Sequence, residues 1–349
     1  MSPNTIIAIR ARTRSSRLHS KCLQPLAGKP AIVHVGERAG LLRDVADRAV
    51  FCIPDGRADD ELAAVLGEHF GEDDFYAVHR GPEWDPVRRT WGAIEEHEAQ
   101  IIIEGLHGDA PLAYMGFVRP ALQLLGQRPD LDCVRYENLE CQVTMEHLAC
   151  HAWPVRRSWW EKTVTLRPKS AGYQEHPTAF FTGYPEQFKV GFLPDENFFR
   201  LRQDRFGRPW DTRYCLDYPE DLVFLGTLFE ELYKDKPITL KEAVQYVNAR
   251  PHLRALNASR AESVLVYPTA VQKRKWRRAY GEWATPEGCE PVLCVNGSCF
   301  LGWVDPEDRD RDQRLHGLDG SVWKRGTVNC ECGAGRSAVW TGDRRVWLK

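Results

Sequence analysis

The stretch Ile6 to Leu23, IIAIRARTRSSRLHSKCL, decides how the rest of the chain is read. It opens on an apolar run, Ile6-Ile7-Ala8-Ile9. It then passes into a segment carrying Arg10, Arg12, Arg14, Arg17 and Lys21, with Ser15, Ser16 and Ser20 among them and no acidic residue. A short apolar run bounded by polar residues predicts a buried strand. A buried strand that feeds a loop of cations and hydroxyls suits an anion. Phosphate comes first, because backbone N–H groups, hydroxyls and guanidinium forks all match its oxygens. A solvated basic loop after an edge strand is the alternative these residues leave open.

Working outward, Pro25 to Pro30 is turn chemistry, and Ala31 to Leu42 has the apolar period of a helix. Further strands are expected at Ala49–Ile53, Phe75–His79, Ile101–Ile103 and Leu131–Tyr136. Helices are expected from Asp59, read as an N-cap, to about His69, at Pro86–His97 and at Val118–Leu125. Strands alternating with helices predict an α/β fold, a mainly parallel sheet with helices on both faces. Ligands of such sheets sit beyond the carboxyl ends of the strands. The Arg12 to Lys21 loop and Asp109 both lie at such ends.

From Asn138 to Phe206 the pattern is less regular. Gln142–Ala152 alternates like a strand, and Val155–Lys162 reads as a short helix. Asp217 is expected at the end of another strand. Pro219 then opens an amphipathic helix reaching about Tyr233, with acidic residues in its first turn to match the dipole. Thr239 is expected to cap a last helix, Leu240–Ala249.

The whole chain has 349 residues, so a large α/β domain (residues 1–258) with a smaller extension (259–349) is expected. Apolar residues make up 43% and charged residues 28%, enough for a sizeable core. The net charge of -2 points neither to nucleic acid nor to a membrane surface, so anion binding has to be local. With no long apolar run and no secretory signal ahead of the first strand, the expected location is the cytoplasm.

Asp109 follows a glycine at the end of a buried strand, and each of Asp109 and Asp217 alone would pass as turn or cap chemistry. Together with the basic loop they meet the needs of nucleotidyl transfer: charge neutralisation along a triphosphate, and one or two carboxylates for Mg²⁺. At this point the sequence resembles the cytidylyltransferases that make CMP-activated acidic sugars (acylneuraminate and CMP-Kdo synthetase-like), in particular the branch named for spore-coat polysaccharide biosynthesis. The family's opening motif is matched by Ala11-Arg12-Thr13-Arg14-Ser15-Ser16-Arg17-Leu18-His19-Ser20-Lys21 and then Leu26-Ala27-Gly28-Lys29-Pro30. Its middle motif is matched by Gly108-Asp109-Ala110-Pro111-Leu112, and its late motif by Leu216-Asp217-Tyr218-Pro219-Glu220-Asp221-Leu222. Glu175-His176-Pro177-Thr178 and Pro185 to Val190 resemble a segment of the same branch, and the likeness runs over about residues 4–258.

The resemblance implies a Rossmann-like, GT-A-like nucleotidyltransferase fold and a reaction of CTP with an acidic acceptor. Lys21, Arg12, Asp109 and Asp217 would be the catalytic set. Ala11, Arg12, Ser15, Ser16, Arg17, Lys21 and Gly108 would line the nucleotide. Asp109 and Asp217 would hold Mg²⁺, and His176 and Arg213 would reach the acceptor. The expected partners are CTP and a small anionic acceptor. The loop departs from the family at Arg14, His19 and Ser20, and Ala110 and Gln174 replace the usual residues. Asn138 to Trp160, with Glu140, Glu146, His147, His151, Arg156 and Arg157, has little likeness to it. A sugar-1-phosphate nucleotidyltransferase using another triphosphate, and an inactive binding protein of the same fold, are the two alternatives.

The extension holds five of the chain's 11 cysteines, and Cys294, Cys299, Cys330 and Cys332 among them form two pairs. Four thiolates would make a closed Zn²⁺ site, with plain unliganded cysteines as the other reading. Short apolar runs at Val292–Val295, Phe300–Val304, Ser337–Thr341 and Arg344–Leu348 suggest a small β-rich module. The basic run Gln272 to Arg278 reads as a contact for RNA or a phosphorylated carrier, or as a solvated helix face. Recruitment of a substrate or partner, or formation of a homodimer, are the roles open to this module.

Overall fold

The computed structural model describes residues 3–135, 151–166, 187–193 and 212–258, together with strands at 290–293, 300–304, 315–316, 322–323, 326–329, 337–340 and 346–348. The first strand, β1 (Thr5–Arg10), is buried at all six positions. It is followed by the basic loop and a short hairpin that pairs Pro25–Leu26 with Lys29–Pro30. Then come α1 (Ala31–Ala39), β2 (Arg48–Pro54), α2 (Asp60–Phe70), β3 (Tyr76–Gly81), α3 (Pro86–Glu96) and β4 (Ile101–His107). The series continues with α4 (Val118–Gln127), β5 (Cys133–Arg135), β6 (Trp153–Arg156), α5 (Arg157–Leu166), β7 (Val190–Phe192), α6 (Pro219–Leu232) and α7 (Leu240–Ala249).

The seven strands form one sheet in the order β3-β2-β1-β4-β6-β5-β7. Neighbours β1/β2, β2/β3, β1/β4 and β5/β7 are parallel, and β6 runs antiparallel to both β4 and β5. The carboxyl ends of β1, β2, β3, β4, β5 and β7 therefore share one edge, and β6 is the reversed strand. Each face buries its own set of side chains, as the strand period of two requires. Ile6, Ala8, Val50 and Ile102 lie in one cluster with Val87, Ile94, Trp159 and Trp160 from α3 and α5. Ile7, Ile9, Phe51 and Ile103 lie in the other with Val33, Leu62 and Leu66 from α1 and α2. Each fully buried isoleucine of β1 contributes about 1.5–3 kcal/mol by leaving water.

Three sequence expectations need correction. Asp59 precedes α2 but makes no side-chain cap bond to it. Asp217 does not end a strand, since residues 212–217 form no ladder. They pass Asp109 with a bend at Cys215, and the Leu216 amide donates to the Asp109 carbonyl at 2.7 Å. The segment expected to be helical from Val155 begins as β6, and α5 starts only at Arg157. Most of the alternating run Gln142–Ala152 lies outside the described residues.

Helix ends follow their sequence signals more closely. Thr239 caps α7 by accepting from the Glu242 amide, and Glu242 accepts in turn from the Thr239 amide. Pro219 takes the first turn of α6, as its missing N–H allows. In the extension, β8 (Glu290–Leu293), β9 (Phe300–Val304), β10 (Leu315–His316) and β11 (Val322–Trp323) form an antiparallel sheet. A second antiparallel sheet is made by β12 (Gly326–Asn329), β13 (Ser337–Trp340) and β14 (Val346–Leu348).

Candidate active site

The basic loop and Asp109 leave the sheet side by side because the ladders of β1 continue past its end. The Ala11 amide donates to the Cys52 carbonyl at 3.4 Å, and the Gly108 amide donates to the Arg10 carbonyl at 2.8 Å. Glycine is required at 108 by close approach. A Cβ there would stand 2.7 Å from the Ala11 Cβ and 3.1 Å from the Ile32 Cδ1, and it would push Asp109 away from β1.

The loop itself is braced from two sides. Asp59 Oδ1 accepts from the Thr13 amide at 2.6 Å and from the Thr13 hydroxyl at 3.0 Å. The Thr13 carbonyl accepts from the Ser20 amide at 3.0 Å, closing the loop on itself. Ser20 adopts a left-handed backbone, φ 46°, to make that closure. The Cys22 thiol donates to the Arg12 carbonyl at 3.3 Å, and burial pushes its pKa up to about 12, so it stays a thiol. Arg14, one of the unusual loop residues, pairs at 2.7 Å with Glu83 beyond the end of β3.

At the open end of the loop three cationic side chains converge on Asp217. Lys21 Nζ donates to Asp109 Oδ2, and to Asp217 Oδ1 at 2.8 Å. Arg17 Nη2 reaches the same Asp217 oxygen at 2.7 Å, while its guanidinium lies 5.2 Å from the centre of the Tyr218 ring. Arg213 Nη2 donates to Asp217 Oδ2 at 2.7 Å from below. Asp217 is 8% exposed and Arg213 only 1%, so this arginine supports the carboxylate from the interior. Burial would raise the Asp217 pKa, but Lys21, Arg17 and Arg213 outweigh it and hold the carboxyl at about 2. Lys21 is held well above its ordinary value because the two aspartates outweigh its burial.

A further layer fixes the 212–218 segment. Asp221 Oδ2 accepts from the amides of Asp217 at 3.1 Å and Tyr218 at 3.0 Å. Asp221 Oδ1 lies 3.5 Å from Arg213 Nε. Across α1, the buried Arg38 donates to the carbonyls of Pro111, Ala113 and Ile238, which holds the chain beyond Asp109 in place.

Of the residues singled out from sequence, Arg17, Lys21, Asp109, Arg213 and Asp217 meet in this one cluster. Ala11 and Gly108 lie beneath it, and Arg12, Ser15 and Ser16 stand along the loop at partly or fully exposed positions. His176, Cys294, Cys299, Cys330, Cys332 and the basic run at 272–278 lie outside the described residues. Sequence reading missed Asp59 as the loop brace and Asn257 as a buried partner of Asp221. Neither carries a local pattern that would reveal a bond to a residue tens of positions away. Among the described residues no group of three or more His, Cys, Asp or Glu side chains could hold a metal ion, and no helix is long and apolar enough to cross a membrane.

A mainly parallel sheet whose carboxyl edge carries a braced cationic loop facing two carboxylates has the architecture of a nucleotide-handling α/β enzyme. Comparison with known proteins places it more narrowly. The cytidylyltransferase family matches residues 6–246, and the chain belongs to that family. It is accordingly a nucleotidyltransferase that uses CTP. Among solved structures, a cytidylyltransferase from Leptospira borgpetersenii serovar Hardjo-bovis superposes with a TM-score of 0.59 at 19% identity, covering 72% of this chain and 96% of its own. At that identity the likeness is one of fold. A CMP:2-keto-3-deoxy-manno-octonic acid synthetase complexed with CTP matches with a TM-score of 0.40 at 20% identity, over 55% of this chain and 90% of its own. Comparison with curated proteins finds no match.

Proposed function

We propose that the protein transfers CMP from CTP to an oxygen of a small anionic acceptor (a sugar acid, a phosphonate or a phosphorylated small molecule), releasing pyrophosphate, with Mg²⁺ as cofactor. The carrying observation is the meeting of Lys21, Asp109 and Asp217 at the carboxyl edge of the sheet, inside the span matched by the family. One ammonium touches an oxygen of each carboxylate, so both carboxylates address the same small volume. That all-oxygen donor pair suits Mg²⁺, which takes one or two carboxylates and completes its shell with phosphate oxygens and water. When bound, the ion would neutralise charge on the triphosphate and the departing pyrophosphate.

The chain's own residues do the rest. Lys21, Arg12 and Arg17, with Ser15, Ser16 and the backbone at Ala11 and Gly108, would bind the triphosphate and orient its α-phosphorus. The acceptor oxygen forms a bond to that phosphorus as the bond to the bridging oxygen of pyrophosphate breaks. An ionised carboxylate or phosphonate oxygen attacks without a base, so positioning and electrostatics carry the catalysis. Arg213 holds Asp217 from the interior. In this reading residues 1–258 form the transfer domain, of the spore-coat polysaccharide branch, and residues 259–349 are an appended module.

The test is a nucleotide panel by thermal shift, followed by a pyrophosphate-release screen of acidic acceptors with Mg²⁺. CTP should stabilise the protein more than ATP, GTP or UTP, and Asp109→Ala and Asp217→Ala should each lower turnover by about 10³-fold or more while keeping the native circular dichroism. CTP binding too weak to detect at millimolar concentration overturns the reading. Full turnover in either variant removes that residue from it.

A further inference from the structure

Asn257 is fully buried at the end of the last short helix of the α/β domain, and its side chain is spent on the candidate site. Its amide nitrogen donates to the Arg213 carbonyl and to Asp221 Oδ1, both at 3.0 Å. The orientation of the amide follows from chemistry, since an ionised carboxylate only accepts and the NH₂ end must face Asp221. Asp221 in turn receives the amides of Asp217 and Tyr218. Arg213, whose carbonyl Asn257 holds, donates its guanidinium to Asp217 Oδ2 at 2.7 Å. Two routes therefore run from Asn257 to Asp217. One passes through Asp221 to the Asp217 backbone, the other through Arg213 to the Asp217 carboxylate.

We infer that Asn257 is a positioning residue for the Asp217 carboxylate, fixing where its oxygens stand at the carboxyl edge of the sheet. Segment 212–218 has no strand ladder to hold it. Its register depends on the Leu216–Asp109 bond and on this buried set. Removing the amide leaves Asp221 with one donor fewer and frees the Arg213 carbonyl, so Asp217 loses its fixed direction. The idea rests on the proposed role of Asp217 for its effect on metal and turnover. The mechanical link itself does not depend on that role.

The experiment uses the full chain and five proteins: wild type, Asn257→Ala, Asp217→Asn, the double variant, and Val247→Ala as a buried apolar control on α7. Mn²⁺ affinity is measured without turnover by electron paramagnetic resonance, and kcat and half-saturating Mg²⁺ are measured with CTP. Asn257→Ala should weaken Mn²⁺ binding and lower kcat by about 10-fold each. Val247→Ala, at a comparable loss of melting temperature, should change neither by more than about 2-fold. Urea unfolding of the four-member cycle should show non-additivity between Asn257 and Asp217.

Additive unfolding energies overturn the link whatever Asp217 binds. Unchanged Mn²⁺ affinity and kcat in Asn257→Ala, or equal losses in Val247→Ala, overturn the positioning role. If Asp217→Asn binds Mn²⁺ as well as wild type, the metal role of Asp217 fails, and the urea cycle alone decides the link.

Discussion

At the scale of single residues, Asp217 is where the sequence pattern and the physics meet. Its carboxyl is held at about 2 against an ordinary value of 3.8, burial notwithstanding, by Lys21, Arg17 and Arg213. A depressed carboxylate contributes stability that is complete above its unfolded pKa and is lost as pH falls through the folded one. Wild-type stability should therefore drop between about pH 4 and pH 2 by an extra ~2 kcal/mol that Asp217→Asn does not lose. Urea midpoints measured across that window check it, and parallel curves for the two proteins would refute it. Asp217 was legible from its motif, and so were Lys21 and Asp109. The partners that hold it were less so. Arg213 stands four residues away and drew notice, whereas Asn257 lies forty positions downstream, where nothing local marks a buried amide as part of a charged site.

Among the elements, the loop of residues 11–20 teaches most about what a pattern conceals. Asp59 stands where a helix cap is expected, yet its oxygen holds Thr13 from the neighbouring strand connection. Capping is a local chemistry that sequence reveals, as with Thr239 on α7. Bracing by the same residue type looks identical until the chain is folded. Asp59→Ala should leave the buried Thr13 amide unsatisfied, cost about 1–3 kcal/mol and raise the KM for CTP about 10-fold. Thr13→Val keeps that amide bond and should cost less in both measures. Equal effects of the two substitutions would show that the hydroxyl, not the amide, carries the brace. The unusual Arg14 is turned outward to Glu83, so the added cation is neutralised at the rim. The irregular segment before α6 misled for a related reason. A strand is expected to end at Asp217, but the segment meets the sheet side through the Leu216 amide on the Asp109 carbonyl and forms no ladder.

Across the whole molecule, the class of fold follows from Ile6 to Ile9 and the alternation after it, while strand direction at the far side does not. Nothing in Trp153–Arg156 taken alone says that it runs against its neighbours. β1 is buried throughout and flanked by β2 and β4. Its amides should exchange with solvent only through global unfolding, slower than those of the edge strand β3. Hydrogen exchange read by mass spectrometry on peptides covering Thr5–Arg10 and Tyr76–Gly81 checks this, and faster exchange in the first would contradict it. The reversed strand has a consequence for descent. The chain leaves β5 at Arg135, makes β6 and α5, and returns at Val190 to pair with the strand it left. That interval begins and ends on adjacent strands at the edge farthest along the sheet from β3. Lengthening such an excursion costs little, about 0.6 kcal/mol for each doubling of a flexible loop. A lineage can therefore lengthen or shorten the connections within this interval at little cost to the sheet, while Ile6 to Lys21 stays under separate selection.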